Sequence, residues 1–152
     1  MPKANLFLDS SALFVGVASA KGAARVLLEL AECELITITV SEQVIAETER
    51  ALARKAPAAL PAYRQALRTV GLRIYHTPSL DDVLACQEMI AHRADAPILA
   101  SARAAQVDYL VTLNRRHFLD DPTVTARAGL RMGTPGDALA WLRERGIIGE
   151  AE

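Results

Sequence analysis

Aromatic residues are scarce in this chain, 5% of the total. That scarcity argues against the stacking platforms on which many single-strand binders lay successive bases. Cysteine is nearly absent. Cys33 and Cys86 are too few and too far apart for a disulfide framework or a zinc site, and a reducing, cytoplasmic setting is expected. Neither sign of charge is in excess: 17 Lys and Arg stand against 18 Asp and Glu, a formal charge of −1. Domains that coat nucleic acid by bulk electrostatics are strongly basic, so only a local grip on a few phosphates stays open. No stretch approaches the roughly 20 apolar residues of a membrane span. The opening Met-Pro-Lys-Ala-Asn lacks the apolar core of a signal peptide. Internal repeats and low-complexity tracts are missing, and no Gly-x-Gly-x-x-Gly follows the first apolar run, which disfavours a dinucleotide-binding domain.

What is present is a set of short apolar runs alternating with amphipathic stretches, in a length of 152 residues that suits one domain over residues 1–152. A chain of this size buries roughly 70% of its unfolded surface without a covalent staple. The strand candidates are Leu6 to Leu8, Leu35 to Val40, Leu72 to His76, Tyr109 to Leu113 and a weaker one near Leu130 to Met132. Runs apolar on both faces suit buried parallel strands. Helices are expected over Ala23 to Ala31, from a Ser41 cap to about Lys55, from the Pro57/Pro61 region to near Gly71, and over Leu80 to Ala91 behind Ser79. Two more open at Asp95-Ala96-Pro97 and at Thr134-Pro135, the last ending before Gly146. The order β-α-α-β-α-α-β-α-α-β-α-β-α predicts a three-layer α/β/α domain around a mostly parallel sheet of four to five strands. In such sheets ligands bind beyond the carboxyl ends of the strands.

The residues just past those ends are therefore the candidates. Asp9 is the first polar residue after the first strand, and it serves equally well as a helix cap near Ser11. Glu42 sits in a first helical turn, where the helix dipole accounts for it. Glu47 and Glu49 flank the apolar face set by Val44, Ile45 and Leu52, and periodicity does not choose between them. Asp95 also reads as a cap. Asn114 suits a turn after the fourth strand, and Arg115, Arg116 and His117 follow it directly.

Taken together, four segments resemble the PIN-domain nuclease family, which includes VapC-like toxins. They are Phe7-Leu8-Asp9-Ser10-Ser11-Ala12-Leu13, Ser41 to Glu47, Asp95-Ala96-Pro97-Ile98-Leu99-Ala100, and Asp108 to Phe118. They run in order from Leu6 to about Met132. The second match is what favours Glu47 over Glu49. The resemblance implies a divalent-metal-dependent ribonuclease in which Asp9, Glu47, Asp95 and Asn114 are catalytic. Asp9 and Asp95 would be the principal ligands of Mg²⁺ or Mn²⁺. Glu47 would be a further ligand, directly or through water, or would orient the attacking water. Oxygen-only donors suit those ions and not zinc. Ser10 and Thr112 would support the ligands through hydrogen bonds, while Arg115, Arg116 and His117 would neutralise phosphate. The RNA substrate, a cognate antitoxin and a homodimer are the implied partners.

Many family members carry an aspartate where this chain has Asn114, which offers a carbonyl oxygen but no charge. That departure also leaves room for a non-catalytic module that binds RNA or a partner on the same fold. Other phosphate chemistries fit less well. Ser11 stands two residues after Asp9 where a haloacid-dehalogenase-type enzyme needs a second Asp, and a phosphoacceptor receiver domain would need adjacent acids and a late lysine. Asn114→Asp should restore a negative ligand and tighten Mn²⁺ binding in calorimetry; an unchanged affinity would remove Asn114 from the site.

Overall fold

Five strands and eight helices make up the computed structural model, which describes residues 3–149. The strands are β1 (Asn5–Leu8), β2 (Thr37–Ser41), β3 (Arg73–Tyr75), β4 (Tyr109–Val111) and β5 (Met132–Gly133). All neighbouring strands pair in parallel, in the order β3-β2-β1-β4-β5. The helices are α1 (Ser10–Ala18), α2 (Ala23–Glu32), α3 (Glu42–Lys55), α4 (Leu60–Thr69), α5 (Leu80–Gln87), α6 (Ala96–Ala104), α7 (Pro122–Ala128) and α8 (Pro135–Glu144). The element order is the one the sequence pattern predicts, and the sheet is parallel throughout.

This order fixes the layers. From β1 the chain steps outward to β2 and then β3, and from β3 it returns across the sheet to β4 and then β5. Right-handed crossovers put α1 to α4 on one face and α5 to α7 on the other. The helices pack accordingly: α1 against α2, α3 and α4, and α5 against α6. The last helix, α8, joins the first layer beside α2. Central β1 is sealed from both sides, with Leu6, Phe7 and Leu8 all fully buried. The strand order reverses between β1 and β4, the switch point at which open α/β sheets form ligand crevices.

The boundaries shift where local hydrogen bonds override apolar character. Leu35 is half-exposed in a turn after α2, its N–H bonded back to the Leu30 carbonyl, so β2 starts at Thr37. The fourth strand stops at Val111 because the Thr112 hydroxyl accepts the Asn114 N–H and bends the chain. Helix α5 ends at Gln87, four residues short of the expected Ala91, and a single 3₁₀ turn over Arg93–Asp95 leads into α6. The weak fifth strand is real but two residues long. Predicted caps form at Ser41, whose hydroxyl accepts the Val44 N–H, and at Thr134 and Asp137, which make a reciprocal capping box.

Gly133 in β5 shows how tightly this edge closes on β4. A Cβ there would stand 2.1 Å from the Tyr109 hydroxyl and 2.8 Å from Asp137 Cβ. The Tyr109 ring is buried and packed against Trp141, with centroids 5.2 Å apart, so it has no free direction in which to yield. Gly133→Ala should therefore cost about 1–3 kcal/mol of stability. Chemical denaturation would measure it, and a loss under about 0.5 kcal/mol, the usual size of a surface substitution, would show that β5 is not held this closely.

Candidate functional site

The crevice at the strand-order switch is built from the residues that follow β1 and β4. The Asp9 N–H donates to the Val111 carbonyl at 3.1 Å, continuing the β1–β4 ladder by one residue. The Asp9 side chain, 4% exposed, caps α1 by accepting the Ala12 N–H at 3.0 Å. It also accepts the Ser11 hydroxyl at 2.6 Å through the same oxygen, Oδ1, while the Thr112 hydroxyl donates to Oδ2. Asp9 is thus both a helix cap and a buried strand-end acid, and the two readings of it do not exclude each other. Burial is the largest influence on its pKa and raises it; the nearby charge of Asp95 adds to the rise, against hydrogen bonds from Ser11, Thr112 and Ala12 that lower it.

Asp95 reaches the same place from the opposite layer, at the head of α6. It makes no side-chain cap bond there, which corrects the simple N-cap reading of the sequence. Its carboxyl turns toward His117, with Oδ2 2.5 Å from His117 Nδ1. That oxygen is buried and makes no regular hydrogen bond. His117 Nδ1 is also 2.8 Å from Asn114 Nδ2. One ring nitrogen cannot donate to the carboxylate and accept from the amide at once: a proton on Nδ1 satisfies Asp95, and a bare Nδ1 satisfies Asn114. The Asn114 carbonyl accepts the His117 N–H at 3.3 Å and starts a wide turn over Arg115–Leu119.

Glu47 lies on α3 at the near edge of this cluster. Ser10 donates its hydroxyl to Glu47 Oε2 at 2.9 Å, and Gln43 Nε2 donates to Oε1 at 2.7 Å. Glu49 points to the other side of the helix, toward Tyr63, whose pKa is raised first by burial and then by the Glu49 charge. The structure therefore joins Asp9 to Asp95 electrostatically and to Glu47 through the next residue, Ser10. It does not gather all three: among the described residues, no three His, Cys, Asp or Glu side chains stand together closely enough to hold an ion. Thr112 and Ser10 take the supporting contacts expected of them. Arg115 and Arg116 are exposed on the turn, but His117 is turned inward to the acids.

Sequence reasoning missed His92. Its ring stacks on His117 with centroids 3.6 Å apart and 23° between planes, just before the 3₁₀ turn that carries Asp95. A lone histidine 25 residues from its partner leaves no pattern to find.

With this geometry in view, the match to known proteins is informative. Residues 5–116 match the family model described as the PIN domain. The chain belongs to the PIN-domain family. The matched span covers β1 through the turn after β4, and so contains Asp9, Glu47, Asp95 and Asn114. Among solved structures, this PIN domain is similar to PAE2754 from Pyrobaculum aerophilum, with a TM-score of 0.64 and 19% identity over 93% of this chain and 90% of that one. It is also similar to VapBC2 from Rickettsia felis, solved bound to a DNA fragment from their promoter, with a TM-score of 0.59 and 18% identity over 86% of this chain and 98% of that one. A looser likeness, TM-score 0.49 at 23% identity over 69% of this chain and 86% of that one, is to VapC20 of Mycobacterium tuberculosis, titled a sarcin-ricin loop cleaving toxin. The likenesses to PAE2754 and VapBC2 establish the α/β/α PIN fold. Comparison with curated proteins gave no match.

The raised pKa of Asp9 has a measurable sign in metal-free buffer. Between the ordinary carboxylate value of 3.8 and its higher folded value, the folded PIN domain keeps a proton that the unfolded chain has lost. This group's contribution therefore falls as pH rises through that window and is neutral below it, where both states are protonated. Denaturant melts across that range in EDTA should show Asp9→Asn gaining stability relative to the parent as pH rises. Parallel profiles would mean that Asp9 titrates as an ordinary surface acid.

Proposed function

We propose that this PIN domain is a divalent-metal-dependent endoribonuclease, cleaving single-stranded or structured RNA in the cytoplasm as the toxin of a toxin–antitoxin pair. The observation that carries the reading is the meeting of Asp9 and Asp95, two carboxylates from opposite layers, at the switch point of the sheet. Like charges so placed call for a positive partner. The donor set fits a hard cation because it is all oxygen, and Asp95 Oδ2, now paired with His117 Nδ1, is the oxygen a cation would compete for. Asp9 and Asp95 would hold Mg²⁺ or Mn²⁺, and Glu47, which does not stand with them as a third direct ligand, would act through water. When bound, such an ion supplies charge stabilisation at the scissile phosphate and a more acidic water.

The protein's own contributions follow from the contacts. Ser10 and Gln43 fix both oxygens of Glu47, so its carboxylate is held ready to orient an attacking water. Thr112 and Ser11 fix the two oxygens of Asp9. Arg115 and Arg116, exposed on the turn after β4, suit the neutralisation of phosphate. The fold likeness to VapBC2 supports an antitoxin partner, and the family resemblance supports a homodimer. Asn114 favours a second reading, a PIN-like module that binds RNA or a partner without cutting it, because its amide supplies no charge to the rim.

A cleavage assay on RNA separates the two. The parent should cut with Mg²⁺ or Mn²⁺ and stop with EDTA, and Asp9→Asn should lower kcat/KM by about 100-fold or more. RNA binding without cleavage in either metal would establish the non-catalytic reading. Normal cleavage by Asp9→Asn would remove Asp9 from the site.

A further inference from the structure

A groove of about 550 Å³ leads away from the acidic cluster, between α1 and α3. One end is Ser10, Ser11 and Glu47, part of the site already described. Beyond Glu47 its α3 wall carries Arg50, Arg54 and Lys55. These positions continue the stripe of Glu47 at i+3, i+7 and i+8, so they share one face of the helix. All three are exposed, and among the described residues none has an ion-pair partner within 4.0 Å. The opposite wall is apolar: Phe14 and Val15 of α1, with Leu113 after β4. Val15 and Leu113 are 36% and 41% exposed.

The helix dipole alone favours Arg54 and Lys55 in the last turn of α3. It explains neither Arg50 nor the facing apolar wall. A groove with cations on one side and apolar side chains on the other matches a ligand that is itself two-sided, with anions along one edge and flat apolar faces along the other. An unpaired nucleic-acid strand is such a ligand. A duplex is not, because its base faces are stacked inside. Arg50 and Arg54 stand about 6 Å apart along the helix axis, a step comparable to that between successive phosphates of an extended strand. We infer that this groove is the path of single-stranded RNA leaving the cleavage site, its phosphates on Arg50, Arg54 and Lys55 and its bases against Phe14, Val15 and Leu113. The inference rests on the nuclease reading and adds to it a path for the strand along α3.

The test is the triple variant Arg50→Gln/Arg54→Gln/Lys55→Gln in the full chain. A control away from the groove is Arg127→Gln/Arg143→Gln, which removes two exposed cations on α7 and α8. Thermal melts establish that both variants fold. Binding of a short fluorescein-labelled single-stranded RNA is read by anisotropy in EDTA over a salt series, and cleavage kinetics are read in Mn²⁺. The triple variant should bind at least tenfold more weakly, and its salt slope should fall by about 2, at about 0.7 per lost phosphate contact. In Mn²⁺ the loss should fall on KM with kcat nearly kept, and the control should behave like the parent. If the parent cleaves RNA and the triple variant matches it in affinity, slope and KM, the groove assignment is overturned while the nuclease reading stands. If the parent binds RNA through these cations but cleaves in no metal, the nuclease reading falls and the strand path stands. Equal affinity for the matching duplex, or a parent that neither binds nor cleaves RNA, overturns the assignment outright.

Discussion

A buried carboxylate has to be satisfied, and the way Asp9 is satisfied ties the molecule together. Its backbone N–H extends the β1–β4 ladder, its Oδ1 caps α1, and its Oδ2 takes the Thr112 hydroxyl from the far side of the crevice. Thr112 in turn accepts the Asn114 N–H and starts the turn that carries Arg115, Arg116 and His117. One charged group therefore sets the entry angle of α1, the seam between the central strands and the geometry of the rim. Burial without those donors would cost several kcal/mol. With them, the acid is held in place yet still desolvated, and burial, more than the Asp95 charge opposite, keeps its pKa raised.

The parallel sheet was legible in the sequence because its central strands, β1 and β4, are short apolar runs bounded by their own punctuation, whereas edge strand β3 is largely exposed. Ser41 and Thr134 announced helix starts through purely local bonds, and those caps form as the chain predicts. Asp95 misled for an instructive reason. Its position at the head of a proline-containing helix is what a cap looks like in one dimension, but its carboxyl is taken by a tertiary partner, His117, 22 residues onward. The choice between Glu47 and Glu49 was invisible to periodicity, since both flank the apolar face. The two part in what each side chain meets, Ser10 for one and Tyr63 for the other. His92 left no trace in the sequence, because a ring stack between separated loops has no spacing rule. The basic stripe of α3 did leave one: counting i+3 and i+7 from Glu47 arrives at Arg50 and Arg54, a step that only matters once Glu47 is known to line the crevice.

A formal charge near zero conceals how the charge is arranged. Acids converge at the end of β1 and the head of α6, while cations follow immediately along α3 and the turn after β4. A polyanion approaching this surface meets no long-range attraction from the molecule as a whole, as expected for a chain without excess basic residues. Its affinity must come from short-range pairing, and short-range pairing is sensitive to where the phosphates are. Near-neutrality therefore trades general adhesion to nucleic acid for dependence on fit.

The scarcity of aromatics bears on the same point. Seven aromatic residues, most of them in the core, leave Phe14 as the one beside the crevice. A strand lying in the groove finds aliphatic surface from Val15 and Leu113 and little to stack on, so base identity gains little discrimination from π contacts. Aliphatic walls distinguish an unpaired base from water but hardly one base from another, since they carry no donors or acceptors. For an RNA ligand of the proposed kind, selectivity would reside in its shape: which segments are unpaired, how sharply the backbone bends toward Asp9 and Asp95, and how many phosphates reach α3 at once. On the proposed RNA reading, a PIN fold whose groove offers charge spacing and an apolar wall would read conformation first, with the folded context of the RNA as the specificity element.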